Sequence, residues 1–361
     1  MQETGCDGLF LENKEITMLR TMFRYVSYSI LIVGMSACSA QPTAEVKPAE
    51  KAPAPVAQSS GGWCSGVNIR MFVGGSEGDG FASIVLRGAQ AAQADLNPNV
   101  EYIFSGWDSE KMISQLRDAV AAKPDGIAMM GHPGDDAILL LAEEASKAGI
   151  LMMYQNVDVP KVRAAFGGGY VGAQLGPQGL ALGAEAINQF GLKSGDTAIL
   201  VADFAEGNRA IREISVMNAF EAAGITVIKV NSDRAWSADP ALAVPVVTAA
   251  IAANPTTKVI AYPGGQLLGT AIQFMEAAGK KPGEIFNMGF DTSPLIIEGF
   301  TKGYIQLTSD QQPFLQGYVP VQSICLSKKY GFGPMSVDTG AGFVNVNNFK
   351  QVAEQATAGF R

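Results

Sequence analysis

The sequence predicts an α/β protein of two lobes, each a parallel sheet flanked by helices, with the lobes joined by a hinge of several chain crossings. Three observations carry that expectation. From Val67 onward, short apolar runs alternate with amphipathic helical stretches, which is the pattern of repeated strand–helix units with right-handed crossovers. Several runs open directly after turn residues, as at Pro124-Asp125-Gly126 and Ala148-Gly149-Ile150. The runs are also too many for one ordinary open sheet, so two sheets account for them better.

The 361 residues, 47% apolar and 17% charged, can supply cores for two such lobes. A net charge of -8 argues against nucleic acid, because no basic patch exists to hold phosphates. The chain has a single histidine, His132, so no histidine-based metal cluster or catalytic triad can be assembled. Gly75, Gly78 and Gly80 are misplaced for a dinucleotide fingerprint, and no Walker pattern, nucleophile elbow or HExxH occurs. Neither catalysis nor a cofactor is expected.

Taken in order, residues Met1 to Thr17 carry Glu3, Asp7, Glu12 and Glu15, whereas an export signal opens with basic residues. Translation is therefore expected to begin at Met18 or Met22. Arg20 and Arg24 then precede an apolar run from Tyr25 to Met35, too short to span a bilayer comfortably, and small residues lead to Cys38. This order resembles a bacterial lipoprotein signal, which would make Cys38 the lipid-carrying first residue of the mature chain; the other reading is a free cysteine after an ordinary signal peptide. Either way, residues 1–38 are a signal segment and the protein is exported. Residues 39–62, with Pro42, Pro48, Pro53 and Pro55 among Ala, Glu, Lys and Ser, have no apolar period and read as a disordered tether. Of the remaining cysteines, Cys6 precedes the expected start, so Cys64 and Cys325 are left as a pair. An oxidising compartment permits a disulfide between them; two buried thiols are the alternative.

The first set of strands is expected at Val67–Val73, Val100–Phe104, Gly126–Met130 and Ile150–Tyr154, with helices at Phe81–Asp95, Ser109–Ala122 and Asp135–Ala148. A boundary follows at Gly167-Gly168-Gly169, and a long helix from Ala173 to Phe190 leads into the second set. Its strands are Thr197–Val201, Thr226–Val230, Lys258–Ala261 and Ile285–Met288; its helices are Asn208–Ala223, Pro240–Ala253, Gly265–Ala278 and Ser293–Phe300. Near Ser309-Asp310-Gln311 the chain is expected to return, so that the stretch Phe314–Lys328 and a late strand at Phe343–Val346 rejoin the first lobe. The division is 63–168 plus 311–361 for one lobe and 169–310 for the other.

The stretch from Ile285 to Pro294 ends a buried strand in an aromatic ring and a carboxylate, Phe290-Asp291, at the edge of a parallel sheet where ligands sit. The same residues also read as a core phenylalanine and a helix-capping aspartate. From Val67 to Phe360 the element order resembles the periplasmic type I substrate-binding proteins, in the ribose-binding-like branch that serves sugar ABC transporters. The residues carrying the resemblance are the strand–loop–helix at Val73–Ala89, Pro124-Asp125-Gly126-Ile127, Ala148-Gly149-Ile150, Met288-Gly289-Phe290-Asp291 and the late Gln311. It implies two Rossmann-like lobes with a sugar between them, stacked on aromatics and hydrogen-bonded at strand ends.

Position by position, the resemblance assigns Asp79 to sugar hydroxyls and Phe81 to a ring face, against a helix cap and a core phenylalanine. It makes His132 a neutral hydrogen-bonding contact rather than a plain loop residue. Gln155 and Asn156 fall where the family often carries Asp and Arg, which removes two charges but keeps hydroxyl recognition; solvent-facing turn residues are the alternative. Arg212 would fork onto two oxygens, with a plain surface arginine as the alternative; Trp236 would stack from the second lobe, and Gln311 would bond the sugar near the hinge. Phe290 and Asp291 complete the expected set. Trp107 is placed equally well at the rim or in packing. At Tyr262-Pro263-Gly264-Gly265 the family's Asn-Asp pair is missing, so backbone groups or another ligand edge are expected to serve. The resemblance implies a monomer in the periplasm or cell envelope, delivering a small sugar to an ABC transporter permease and held to the membrane by Cys38. The alternative is a sensor for a furanosyl signal molecule or nucleoside, working with a chemoreceptor or sensor kinase.

Overall fold

The computed structural model describes residues 62–205, 210–340 and 342–361. The signal segment, the lipidation expected at Cys38, nearly all of the tether and Asn208 lie outside the described residues. Everything described belongs to one compact unit, Ala57–Arg361.

Within that unit there are two six-stranded sheets. The first takes β1 (Asn68–Gly74), β2 (Asn99–Phe104), β3 (Gly126–Met130), β4 (Leu151–Gln155) and β5 (Gly169–Gly172). The second takes β6 (Thr197–Ala202), β7 (Thr226–Asn231), β8 (Thr257–Ala261), β9 (Phe286–Phe290) and β10 (Leu307–Asp310). The late strands β11 (Val337–Asp338) and β12 (Gly342–Asn345) complete the first and second sheets respectively. The strand orders are β11-β5-β4-β3-β1-β2 and β12-β10-β9-β8-β6-β7. Only β12 runs antiparallel, with Thr308 opposite Val344.

Helices fill the crossovers. The first sheet is connected through α1 (Gly80–Leu96), α2 (Ser109–Ala121), α3 (Asp135–Lys147) and α4 (Pro160–Phe166). The second uses α5 (Leu175–Phe190), α6 (Ile211–Ala222), α7 (Val244–Ala253), α8 (Gly265–Gly269), α9 (Ala271–Ala277) and α10 (Pro294–Thr301). Then α11 (Pro313–Tyr330) packs against α1, and α12 (Phe349–Thr357) packs against α10. Strand β6 shows how the cores form. Ala198 and Leu200 enter one apolar cluster with Phe220, while Ile199 and Val201 enter another with Phe274. That is the two-residue period of a strand buried on both faces, and each large side chain so buried contributes about 1.5–3 kcal/mol.

The chain crosses between the sheets after β5, after β10 and between β11 and β12, as the strand memberships require. Three expectations are corrected here. Strand β5 belongs to the first sheet, paired on both sides by β4 and β11, although its glycines read as a lobe boundary. The late strand expected at Phe343–Val346 joins the second sheet, because the buried strand β10 otherwise presents an open edge that β12 covers. The expected helix Gly265–Ala278 is broken at Thr270, whose backbone N–H turns back to the carbonyl of Leu267. Cys64 and Cys325 form a disulfide with a Cα–Cα distance of 5.5 Å, joining the entry of the chain to α11.

Candidate functional site

A cavity of about 110 Å³ lies where the carboxyl ends of the strands of both sheets converge. Phe81, Trp107, His132 and Asn156 reach it from the loops after β1 to β4 and the start of α1; Asp203, Arg212, Trp236, Pro263, Asp291 and Gln311 reach it from the other side and the hinge. Strand-end loops line it because a parallel sheet points all its carboxyl ends one way, leaving a crevice between helix N-termini.

Asp291 is tightly constrained in this wall. Its Oδ1 accepts from Gln311 Nε2 at 2.6 Å and its Oδ2 from the Gly265 backbone N–H at 3.1 Å. Its own backbone has φ 69°, in the left-handed region, and is pinned by bonds between Asp291 N–H and Ser309 O and between Thr308 Oγ1 and Asp291 O. Such a conformation costs on the order of 1–3 kcal/mol and persists only where surrounding bonds over-determine it. Burial pushes the Asp291 carboxyl above its ordinary pKa, and the nearby Arg212 cation opposes that rise.

Gln311 carries the network across the hinge. Its Oε1 accepts from Asn156 Nδ2 at 3.1 Å, so a residue after β4 is linked through Gln311 to Asp291 after β9. Arg212 is held just as firmly. Its Nη2 donates to the Pro263 carbonyl at 2.6 Å, its Nε to Glu213 Oε1 at 3.3 Å, and its guanidinium lies 3.9 Å from the centroid of the Phe290 ring. Helix α6 can come close enough to do this because Gly179 of α5 faces the Arg212 carbonyl, where a Cβ would collide. At Pro263-Gly264-Gly265 the backbone supplies a carbonyl to Arg212 and an N–H to Asp291.

Apolar surface comes from both sides. Trp236 is 7% exposed, in a 3-10 turn (Arg234–Ser237) opened by Asp233, whose side chain accepts from the Ala235 N–H. Opposite are Phe81, Trp107 and His132, with Trp107 5.7 Å from the Phe81 ring and 5.2 Å from the His132 ring. Two contacts join the walls at the rim: Gln266 Nε2 donates to Asp79 Oδ2 at 3.1 Å, and Arg234 Nη1 lies 3.3 Å from Asp108 Oδ2. The cavity is therefore seen with its walls together.

Seven of the ten expected ligand-binding residues line the cavity: Phe81, His132, Asn156, Arg212, Trp236, Asp291 and Gln311. Three do not. Asp79 caps α1 through the Ala82 N–H, and its other oxygen takes Trp107 Nε1 as well as Gln266. Gln155 is fully buried in β4 and donates to the Phe72 carbonyl of β1, since strand alternation turns its side chain into the sheet's flank. Phe290, 1% exposed, is core, and its face is covered by Arg212. Sequence reasoning missed Asp203, Glu213, Asp233, Arg234 and Gln266 on the wall. All but Glu213 sit within a few residues of a strand's carboxyl end, which is the signal that could have found them.

A family model described as a periplasmic binding protein domain matches residues 70–326. Among curated proteins, the chain is 26% identical over 258 residues to a xylose/arabinose-binding protein of Sulfolobus acidocaldarius, covering 67% of this chain and 62% of that protein. The chain thus spans about three fifths of the length of the curated relative it matches. Among solved structures, a carbohydrate transporter from Acidothermus cellulolyticus 11B in complex with myo-inositol is 28% identical, with TM-score 0.70 over 82% of this chain and 99% of that one. An ABC transporter solute-binding protein from Burkholderia graminis C4D1M in complex with D-arabinose shares the fold at 19% identity and TM-score 0.69, covering 79% of this chain and 97% of that one.

Proposed function

The chain belongs to the periplasmic binding protein family, and from that membership we propose that it is the solute-binding component of a sugar ABC transporter, holding a monosaccharide or related polyol between two lobes. The observation that carries this reading is the pairing of apolar rings on both cavity walls with the hydrogen-bonded belt of Asn156, Gln311, Asp291 and Arg212 between them. A cyclic polyol has apolar C–H faces and a polar equator, so rings above and below with acceptors and donors around the edge match it. The relatives point the same way: one is named for xylose and arabinose, and two were solved with myo-inositol and D-arabinose. Binding rather than catalysis also agrees with these relatives.

The two lobes of the proposal are the halves built on the two sheets, and the cavity residues named above are its ligand-binding set. Ligand that contacts both walls favours the closed arrangement and so presents a closed surface to a membrane permease. A buried polar group left unpaired by the wrong epimer costs about 1–3 kcal/mol, which supplies the discrimination. The finer parts of the reading are residence in the cell envelope and anchoring through a lipidated Cys38; Arg20 and Arg24, the apolar run that follows them and the small residues before Cys38 support them.

The test is a thermal-shift screen of the protein, refolded to remove carried-over ligand, against pentoses, hexoses, inositols, other polyols and nucleosides. Ligand at ~100 times its dissociation constant adds about 2.7 kcal/mol to the folded state. A selective rise with one sugar or polyol is the expected outcome. A response confined to nucleosides, or none at all, contradicts the proposed ligand class.

A further inference from the structure

We infer that the last residues of the sequence form a strap across the hinge, and that Arg361, acting through Asp310, is a positioning residue for Gln311 at the cavity floor. Helix α12 belongs to the second half, where Phe349 stacks on Phe300 at 5.3 Å. Beyond it the chain turns back to the first half. Arg87 of α1 donates to the Ala358 carbonyl and lies 5.8 Å from the Phe360 ring, which packs 5.4 Å from Phe314 in the first turn of α11. Besides the three connections between sheets, the tail thus spans the two halves through side-chain contacts.

Its final side chain reaches the hinge itself. Arg361 places Nε 2.7 Å and Nη2 2.6 Å from Asp310 Oδ2, while Asp310 Oδ1 accepts from the Gln312 backbone N–H at 2.9 Å. Asp310 is fully buried at the end of β10, where an ionised carboxylate is tolerated only when paired and hydrogen-bonded. The residue between these two anchored positions is Gln311, which bridges Asn156 and Asp291. Gln312 itself is held at φ 52°, a left-handed conformation that its bond to Asp310 helps to fix. Removing Arg361 leaves the buried carboxylate without its cation, so Asp310 turns toward water and releases the 310–312 backbone. Gln311, still held through its carbonyl by Gln316 Nε2, is then placed less firmly, although Arg361 does not line the cavity.

The consequence for affinity rests on the sugar-binding reading; the positioning of the hinge does not, and the experiment separates them. Arg361→Ala and Arg361→Lys are made in the full chain. Their affinity for the best sugar or polyol found with the unmodified protein is measured by calorimetry, and amide hydrogen exchange over 307–316 is followed without ligand. The expected result is binding weaker on the order of tenfold in Arg361→Ala, substantial recovery in Arg361→Lys, and faster exchange at 311–312 in Arg361→Ala alone. A stabilising but non-positioning tail would lower the melting temperature of both variants and leave affinity unchanged. Unaltered exchange at 311–312 in Arg361→Ala overturns the inference, whether or not any sugar binds. Altered exchange with no sugar bound by the unmodified protein sustains the strap and removes the ligand reading.

Discussion

Asp291 carries opposing demands: burial favours its neutral form, while Arg212, Gln311 and the Gly265 N–H favour the carboxylate. Its folded pKa lies above the ordinary value, so as pH rises the unfolded chain releases its proton first. This contribution is therefore fully present below the usual carboxylate range of about 3.9 and is lost as pH climbs through the raised folded value. The stability of the unmodified protein relative to Asp291→Asn should accordingly fall as pH rises above the usual carboxylate range of about 3.9, measured by urea unfolding of the ligand-free forms; a relative rise would show that Arg212 outweighs burial. At this scale the sequence was legible where a bulky or polar side chain stood in the loop or helical turn that follows a strand. Trp236, Arg212 and Gln311 line the cavity, and Trp236, expected to be poorly explained as core, also packs in the apolar cluster with Tyr262 and Leu267. It was illegible where one residue type serves two ends. Asp79 is both a cap and a rim acceptor, and Phe290 became core because a cation took the ring face that a ligand was expected to cover.

The elements position these groups through close helix contacts and edge pairing. The βα alternation was readable because buried parallel strands are short apolar runs and their helices are amphipathic. Strand β5 escaped because Gly169 and Gly172 frame only two bulky residues, a composition that spells a turn. Strand β12 could be seen as a strand, but its partner could not: pairing with β10 depends on which sheet edge is open, and that is a property of the assembled fold. The disulfide acts at this level too. It ties Cys64, before β1, to α11 across a separation of 261 residues, and so restricts a large loop of the unfolded chain. Replacing both cysteines by serine should lower the unfolding free energy by about 2–5 kcal/mol, read from denaturant curves. A loss well below 1 kcal/mol would mean that the unfolded chain is already compact around this contact.

For the whole molecule, the cavity derives from one geometric fact: two mostly parallel sheets present their carboxyl ends to a common cleft. The walls meet through Asn156–Gln311–Asp291 at the floor and through Asp79–Gln266 and Asp108–Arg234 at the rim. The Asp108–Arg234 pair is half exposed and so contributes little, at most about 1 kcal/mol. The most direct test of a sugar held between these walls is calorimetric titration of the best sugar or polyol into the unmodified protein and into Trp236→Ala. Truncating the indole removes one apolar platform without disturbing the Asp291 network, so the account predicts saturable one-to-one binding that weakens at least about tenfold, or 1.4 kcal/mol, with folding retained. Equal affinity in the two proteins would place the ligand elsewhere and contradict the account.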